Sequence, residues 1–135
     1  MNLAYYLKLY LASLAAFFMI DMFWLGLLAR GFYRKHLGYL LAPSTNWIAA
    51  IIFYLLFVAG LLFFAVAPGL QAGSLKKTLL YGALFGLLTY ATYDLTNQAT
   101  IKDWPWVVTV VDMAWGVILA TSVSCVAFLV GRWLG

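Results

Sequence analysis

Three aspartates, Asp21, Asp94 and Asp112, each stand inside a long apolar run of this chain. A carboxylate near the centre of a membrane helix costs about 2.5 to 3.5 kcal/mol on insertion scales. Three of them facing lipid would threaten insertion, so they are expected to face a bundle interior or a wet cavity. No lysine or arginine lies at their depth. Packed together without a cation they cannot all ionise, and at least one has to hold a proton. Tyr54, Tyr90, Tyr93, Asn97 and Gln98 can donate hydrogen bonds to whichever stay charged. Trp24 and Trp115 each follow an aspartate by three residues, which sets an indole beside a carboxylate on the same helix. Acids and indole faces together suit a cationic headgroup, the acids supplying charge and the rings π faces. The same residues also suit plain structure: protonated aspartates clamping helices, and tryptophans that pack. His36 is a lone histidine at a surface position, and the three carboxylates match no metal-binding spacing, so no metal or cofactor is expected.

Four helices have to carry these groups. The chain is 67% hydrophobic and 9% charged over 135 residues, against roughly a quarter charged in soluble domains. Several apolar runs reach the roughly 20 residues that cross a bilayer. The expected fold is all-α: one polytopic membrane domain over residues 1–135, with four transmembrane helices in an antiparallel bundle. The spans run from about Leu3 to Ala29, Trp47 to Ala67, Thr78 to Thr100 and Val107 to Val130. Pro68-Gly69 is expected to end the second span, leaving Pro68 to Lys77 as a loop. Gly31 to Pro43 reads either as a short amphipathic helix in the interface or as a basic loop. As a helix it sets Tyr33, Leu37, Leu40 and Leu41 on one face, and Arg34, Lys35 and His36 on the other. Trp47, Trp104 and Trp106 read as an interfacial aromatic belt. The first apolar run is longer than a signal core and lacks a small-residue cleavage site, so it is expected to stay as a membrane helix.

Two ridges stand out. Gly82, Gly86, Tyr90, Asp94 and Gln98 are successive i+4 steps in the third span; Asp112, Gly116, Ala120 and Ser124 repeat the pattern in the fourth. Small residues let backbones approach closely, and Gly82, Gly86 and Gly116 also offer a face for a homodimer. Alternating crossings put the acids in one leaflet: at 1.5 Å rise per residue, Asp21 and Tyr54 lie roughly 12 Å deep, Asp94 roughly 10 Å and Asp112 roughly 9 Å. Asp21-Met-Phe-Trp24 is echoed by Asp112-Met-Ala-Trp115. Cys125 is the sole cysteine, which excludes an intramolecular disulfide and a thiol-based metal cluster. The net charge of +4 suits anionic lipid headgroups, and nothing offers a soluble basic domain for nucleic acid. Basic residues balance across the two sides; the cluster after the first span favours a cytoplasmic loop there, with both termini outside.

The stretches Ala29-Arg-Gly-Phe-Tyr-Arg34, Leu40-Leu-Ala-Pro43, Phe53-Tyr-Leu-Leu-Phe57, Ala91-Thr-Tyr-Asp-Leu-Thr-Asn97 and Val111-Asp-Met-Ala-Trp-Gly116 together resemble a family of small bacterial membrane proteins of unknown function. The resemblance implies a four-helix protein of the inner membrane and carries no catalytic assignment. Asp94, Asn97, Asp112 and Trp115 fall in its most specific stretches. Three functions compete on these residues. The first is binding or transport of a lipid-like or cationic amphiphile, with protonation of the aspartates coupled to occupancy. The second is an assembly subunit of a larger membrane complex, its aspartates structural. The third is a membrane enzyme doing acid/base chemistry on a lipid.

Overall fold

The computed structural model describes residues 2–135, 86% of the chain is helical, and no strand occurs among the described residues. Helix α1 spans Leu3–Leu28, α2 Arg30–Leu37, α3 Trp47–Ala72, α4 Leu75–Thr100 and α5 Trp106–Leu134. Side chains cap three of the helix starts. Asn2 accepts from the Tyr5 N–H at 3.0 Å, Asn46 from Ala49 at 3.2 Å and Ser74 from Lys77 at 3.0 Å, satisfying amides that a first turn leaves free. By length and composition α1, α3 and α5 can each cross a membrane. Helix α4 is as long as α1 but carries Lys76, Lys77, Asp94, Asn97 and Gln98.

Two stretches depart from the α-helical repeat. Trp24–Leu28 and Leu62–Val66 are π-turns, each wider by one residue than the usual turn. The second corrects the expected end of α3 at Pro68. Proline lacks the N–H that would pair four residues back, and its ring crowds that carbonyl. The π-turn just upstream, where Ala67 N–H reaches the Leu62 carbonyl, lets the helix pass Pro68 and run to Ala72. It stops at Gly73, whose φ of 61° suits a residue without Cβ. Ser74 N–H then donates to Gly69 O at 2.9 Å and Gly73 N–H to Leu70 O at 3.1 Å, a pairing that satisfies the last carbonyls. The expected loop from Pro68 to Lys77 thus shrinks to Gly73-Ser74.

Helices α4 and α5 meet along the two ridges of small residues. A Cβ on Gly82 would strike Ser124, one on Gly86 would strike Gly116 and Ala120, and one on Gly116 would strike the Tyr90 ring. Ascending positions on α4 thus meet descending positions on α5. Helix α5 is the most enclosed, with Leu119, Ala120, Val123 and Ala127 all at 0% exposure. Tyr5, Leu9, Ser13, Phe17 and Asp21, each four residues on from the last, form the buried stripe of α1. The outward surface is apolar, from Ile48 and Leu56 to Phe63 and Trp133; a continuous apolar exterior of this kind calls for hydrocarbon around it.

Candidate functional site

Asp21 and Asp112 come from helices in contact, and their motifs interlock. The Trp115 Nε1–H donates to Asp21 Oδ1 at 3.2 Å. The Trp24 Nε1–H donates to the Tyr33 hydroxyl at 3.2 Å, and that hydroxyl donates to Asp112 Oδ1 at 2.5 Å. Between these two chains the indoles lie face to face, 4.6 Å between centroids and 10° between planes. The spacing of three residues had set each indole beside the acid of its own helix. The indoles in fact reach across: each serves the acid of the other helix, Trp115 directly and Trp24 through Tyr33. Three-residue spacing places two side chains on one face, but a large ring projects beyond its own helix and hydrogen-bonds at the far side of the contact. The π-turn beginning at Trp24 ends with Ala29 N–H donating to Trp24 O at 2.8 Å. Helix α2 starts immediately afterwards and brings Tyr33 back over Asp112. Burial, then the Asp112 carboxylate, push the Tyr33 hydroxyl above the ordinary phenol range, so it stays a neutral donor.

Asp94 is fully buried, and neither carboxylate oxygen has a hydrogen-bond partner. Asp112 is close enough for the two carboxyls to interact. No cation is among the groups acting on Asp94 or Asp21. Tyr90 lies within electrostatic reach of all three acids and of Tyr54, and Tyr54 within reach of Asp21. Burying a carboxyl without a hydrogen-bond partner is costly in a medium of low polarity. Asp112 is only half-buried and borders two openings. One, of about 730 Å³, runs past Arg30, Tyr33, Arg34, Trp47, Tyr54 and Tyr93. The other, of about 310 Å³, is lined by Phe53, Thr89, Tyr90 and Tyr93.

A family model described as "Predicted membrane protein (DUF2177)" matches residues 6–129. The chain belongs to this family. No curated protein and no solved structure matches it. The matched region takes in every residue of the site, from Asp21 to Trp115. This DUF2177 chain is therefore a helical membrane protein, and its chemistry has to be read from its own side chains.

Not every expected residue gathers at the acids. The Gln98 Nε2–H donates to the Trp104 carbonyl at 2.8 Å, and its Oε1 accepts from Thr109 at 2.8 Å. Both ends of the amide are occupied in closing the turn between α4 and α5, which removes it from the donors expected around the acids. Asn97 is half-buried on the same helix. Trp104 is not part of an exposed belt: it is 6% exposed, donates to Thr109 Oγ1 at 3.1 Å and packs with Leu37 and Val108. Trp47 and Trp106 are exposed. Gly82, Gly86 and Gly116 lie buried in the α4–α5 seam of one chain. In α2, Arg34 shares its face with Tyr33 and Leu37 rather than opposing them, and Arg30 joins them along the large groove. Tyr33, Arg30 and Arg34 thus reach the site from α2, and the face expected for Arg34 is the one that the structure corrects. The i, i+3, i+4, i+7 spacing of Arg30, Tyr33, Arg34 and Leu37 is the signal that finds them.

Proposed function

We propose that this protein crosses the membrane four times, as a single antiparallel helical domain, and binds the cationic head of a membrane amphiphile at Asp112. Several features support the fourth crossing. Helix α4 has 26 residues, roughly 39 Å at 1.5 Å per residue. Its exposed positions include Leu80, Leu84, Leu88 and Leu95, while Asp94 is turned inward. The resemblance to small bacterial proteins supports an inner-membrane setting. The observation that carries the function is the position of Asp112: a half-buried acid within an apolar helix, at the edge of a groove open between α1, α2 and α3. Intramembrane acids that face a cavity are sites by default. An ammonium there would meet one carboxylate with the aromatic rings of Tyr54 and Tyr93 on the same groove.

Proton coupling follows from the neighbour. Asp94 and Asp112 interact, so a cation arriving at one carboxyl changes how readily the other keeps its proton. Purified protein in a neutral maltoside detergent, titrated with dodecylamine and followed by tryptophan fluorescence, tests this. Saturable binding is expected, weakened about tenfold by Asp112→Asn, the size of one lost charge-assisted contact. A pH indicator in weak buffer should register proton release as the site fills. Binding that is non-saturable, or the same in Asp112→Asn, overturns the reading.

A further inference from the structure

The large groove carries opposite charges at two levels. Arg30 and Arg34 are exposed, lie one helical turn apart on α2 and line its rim; Asp112 lies deeper on α5, with the Tyr33 hydroxyl bonded to it. Tyr33 occupies one oxygen of the Asp112 carboxylate. The guanidinium groups are forked donors suited to phosphate oxygens, and two of them at i, i+4 can hold one phosphate between them. The remaining walls include Leu25, Leu41 and Trp47, which are exposed to the surroundings at 38%, 50% and 51%. A ligand filling this groove would present an anion at the rim, a cation below it and apolar chains along the side. A soluble ion satisfies none of the apolar wall, and a simple alkylammonium leaves the arginines unused.

We propose that the groove binds a zwitterionic phospholipid, its phosphate held by Arg30 and Arg34 and its ammonium by Asp112. This rests on the amphiphile-binding reading above and names its substrate class. The headgroup would enter sideways from the leaflet between α2 and α3, and its acyl chains would stay along Leu25, Leu41 and Trp47. Tyr33 would hold the near face of the Asp112 carboxylate and leave the other oxygen for the ammonium. Asp94, buried behind, would stay out of direct contact with the lipid.

The test compares four probes on the full chain in maltoside micelles by tryptophan fluorescence. They are dioctanoyl phosphatidylethanolamine, dioctanoyl phosphatidic acid (phosphate without the amine), dodecylamine (amine without phosphate) and free phosphoethanolamine. The zwitterionic lipid should bind at least about tenfold more tightly than each of the other three, one charge-assisted contact in excess. Arg30→Gln combined with Arg34→Gln should bring it down to the level of dodecylamine without weakening dodecylamine binding, because losing two cations cannot lessen the attraction of Asp112 for an ammonium. Both arginines are exposed, so this variant leaves the packed helices intact, and dodecylamine binding at least as tight as before verifies that. Dodecylamine binding as tightly as the lipid, or lipid binding untouched by the double variant, overturns the phospholipid assignment while the cationic site stands. Free phosphoethanolamine matching the lipid overturns the membrane as its source. Failure of both phosphatidylethanolamine and dodecylamine to bind removes the underlying reading, and the assignment with it.

Discussion

Asp21 and Asp112 open the same four-residue pattern on two helices that pack together, yet they live differently. Asp21 is 6% exposed and takes its hydrogen bond straight from the Trp115 indole. Asp112 is half-buried, faces two openings and is reached by the other indole through an inserted tyrosine. The pattern cannot account for the difference, because it is shared. What differs is the covering. Phe17 lies against Tyr54 and Phe57 one turn before Asp21, closing that side. Over Asp112 lies α2, a polar helix that contributes Tyr33 and two arginines. One acid is enclosed between helices and the other is reached from a groove, and the element that makes the difference is the short helix between the first and second long ones.

The harshest way to break the comparison is to remove what both copies share. Trp115→Ala deletes the stacked ring and the donor to Asp21 together. Loss of a buried aromatic costs about 3–5 kcal/mol, and the stranded carboxylate adds to it. Thermal or denaturant unfolding in detergent should show a loss in this range. A change below about 1 kcal/mol would mean the stacked pair holds nothing together. Next in size is Asp21→Ala, which leaves a buried indole N–H without an acceptor and should cost about 1–3 kcal/mol. Asp21→Asn keeps an acceptor and should recover most of that. Neither Asp21 variant should alter dodecylamine affinity by more than about twofold. A large loss of affinity would show that Asp21, not Asp112, is the charge a ligand meets.

The i+4 ridges were legible. Glycine at 82, 86 and 116 permits close backbones wherever it lies, and polar residues spaced at four must share a face, so the α4–α5 seam and the inward acids follow from residue type alone. Other features were not legible, for physical reasons. A π-turn leaves no compositional mark, so Pro68 reads as a stop although the preceding turn absorbs it. Spacing sets the face of a side chain but not its reach, so the crossing of Trp24 and Trp115 could not be read along one helix. Gln98 lies on the ridge of Asp94, but the nearby Trp104 carbonyl and Thr109 hydroxyl compete for its amide, and those partners exist only after the turn has formed. The same turn buries Trp104, whose apolar body finds Leu37 and Val108 before it finds lipid.

A finer test acts on the inserted residue. Tyr33→Phe removes the hydroxyl that joins Trp24 to Asp112 while keeping the ring against Phe32. One neutral and one charge-assisted bond go, with partial repair by water in the open groove, so a stability loss of about 1–2 kcal/mol is expected. If Tyr33 is the feature that separates the two copies, dodecylamine affinity should shift as well, because the carboxylate is no longer oriented. Stability loss with unchanged affinity would make Tyr33 a strut and nothing more.

The smallest expected effect comes from Trp24→Phe. Phenylalanine retains an aromatic face for the Trp115 stack and loses a single N–H bond, the one to Tyr33 at 3.2 Å. The hydroxyl so released still donates to Asp112, so no buried group is stranded, and the cost should stay below about 1 kcal/mol. A double-mutant cycle with Tyr33→Phe isolates that bond: a coupling of about 0.5–1 kcal/mol is expected for neighbours sharing one hydrogen bond. The same cycle run with Asp112→Asn in place of Tyr33→Phe should give a smaller coupling, because Trp24 acts on the acid only through the tyrosine. Equal couplings would mean that Trp24 acts on Asp112 as directly as Trp115 acts on Asp21. The two copies would then be alike in function, and the asymmetry would have to come from Asp94 alone.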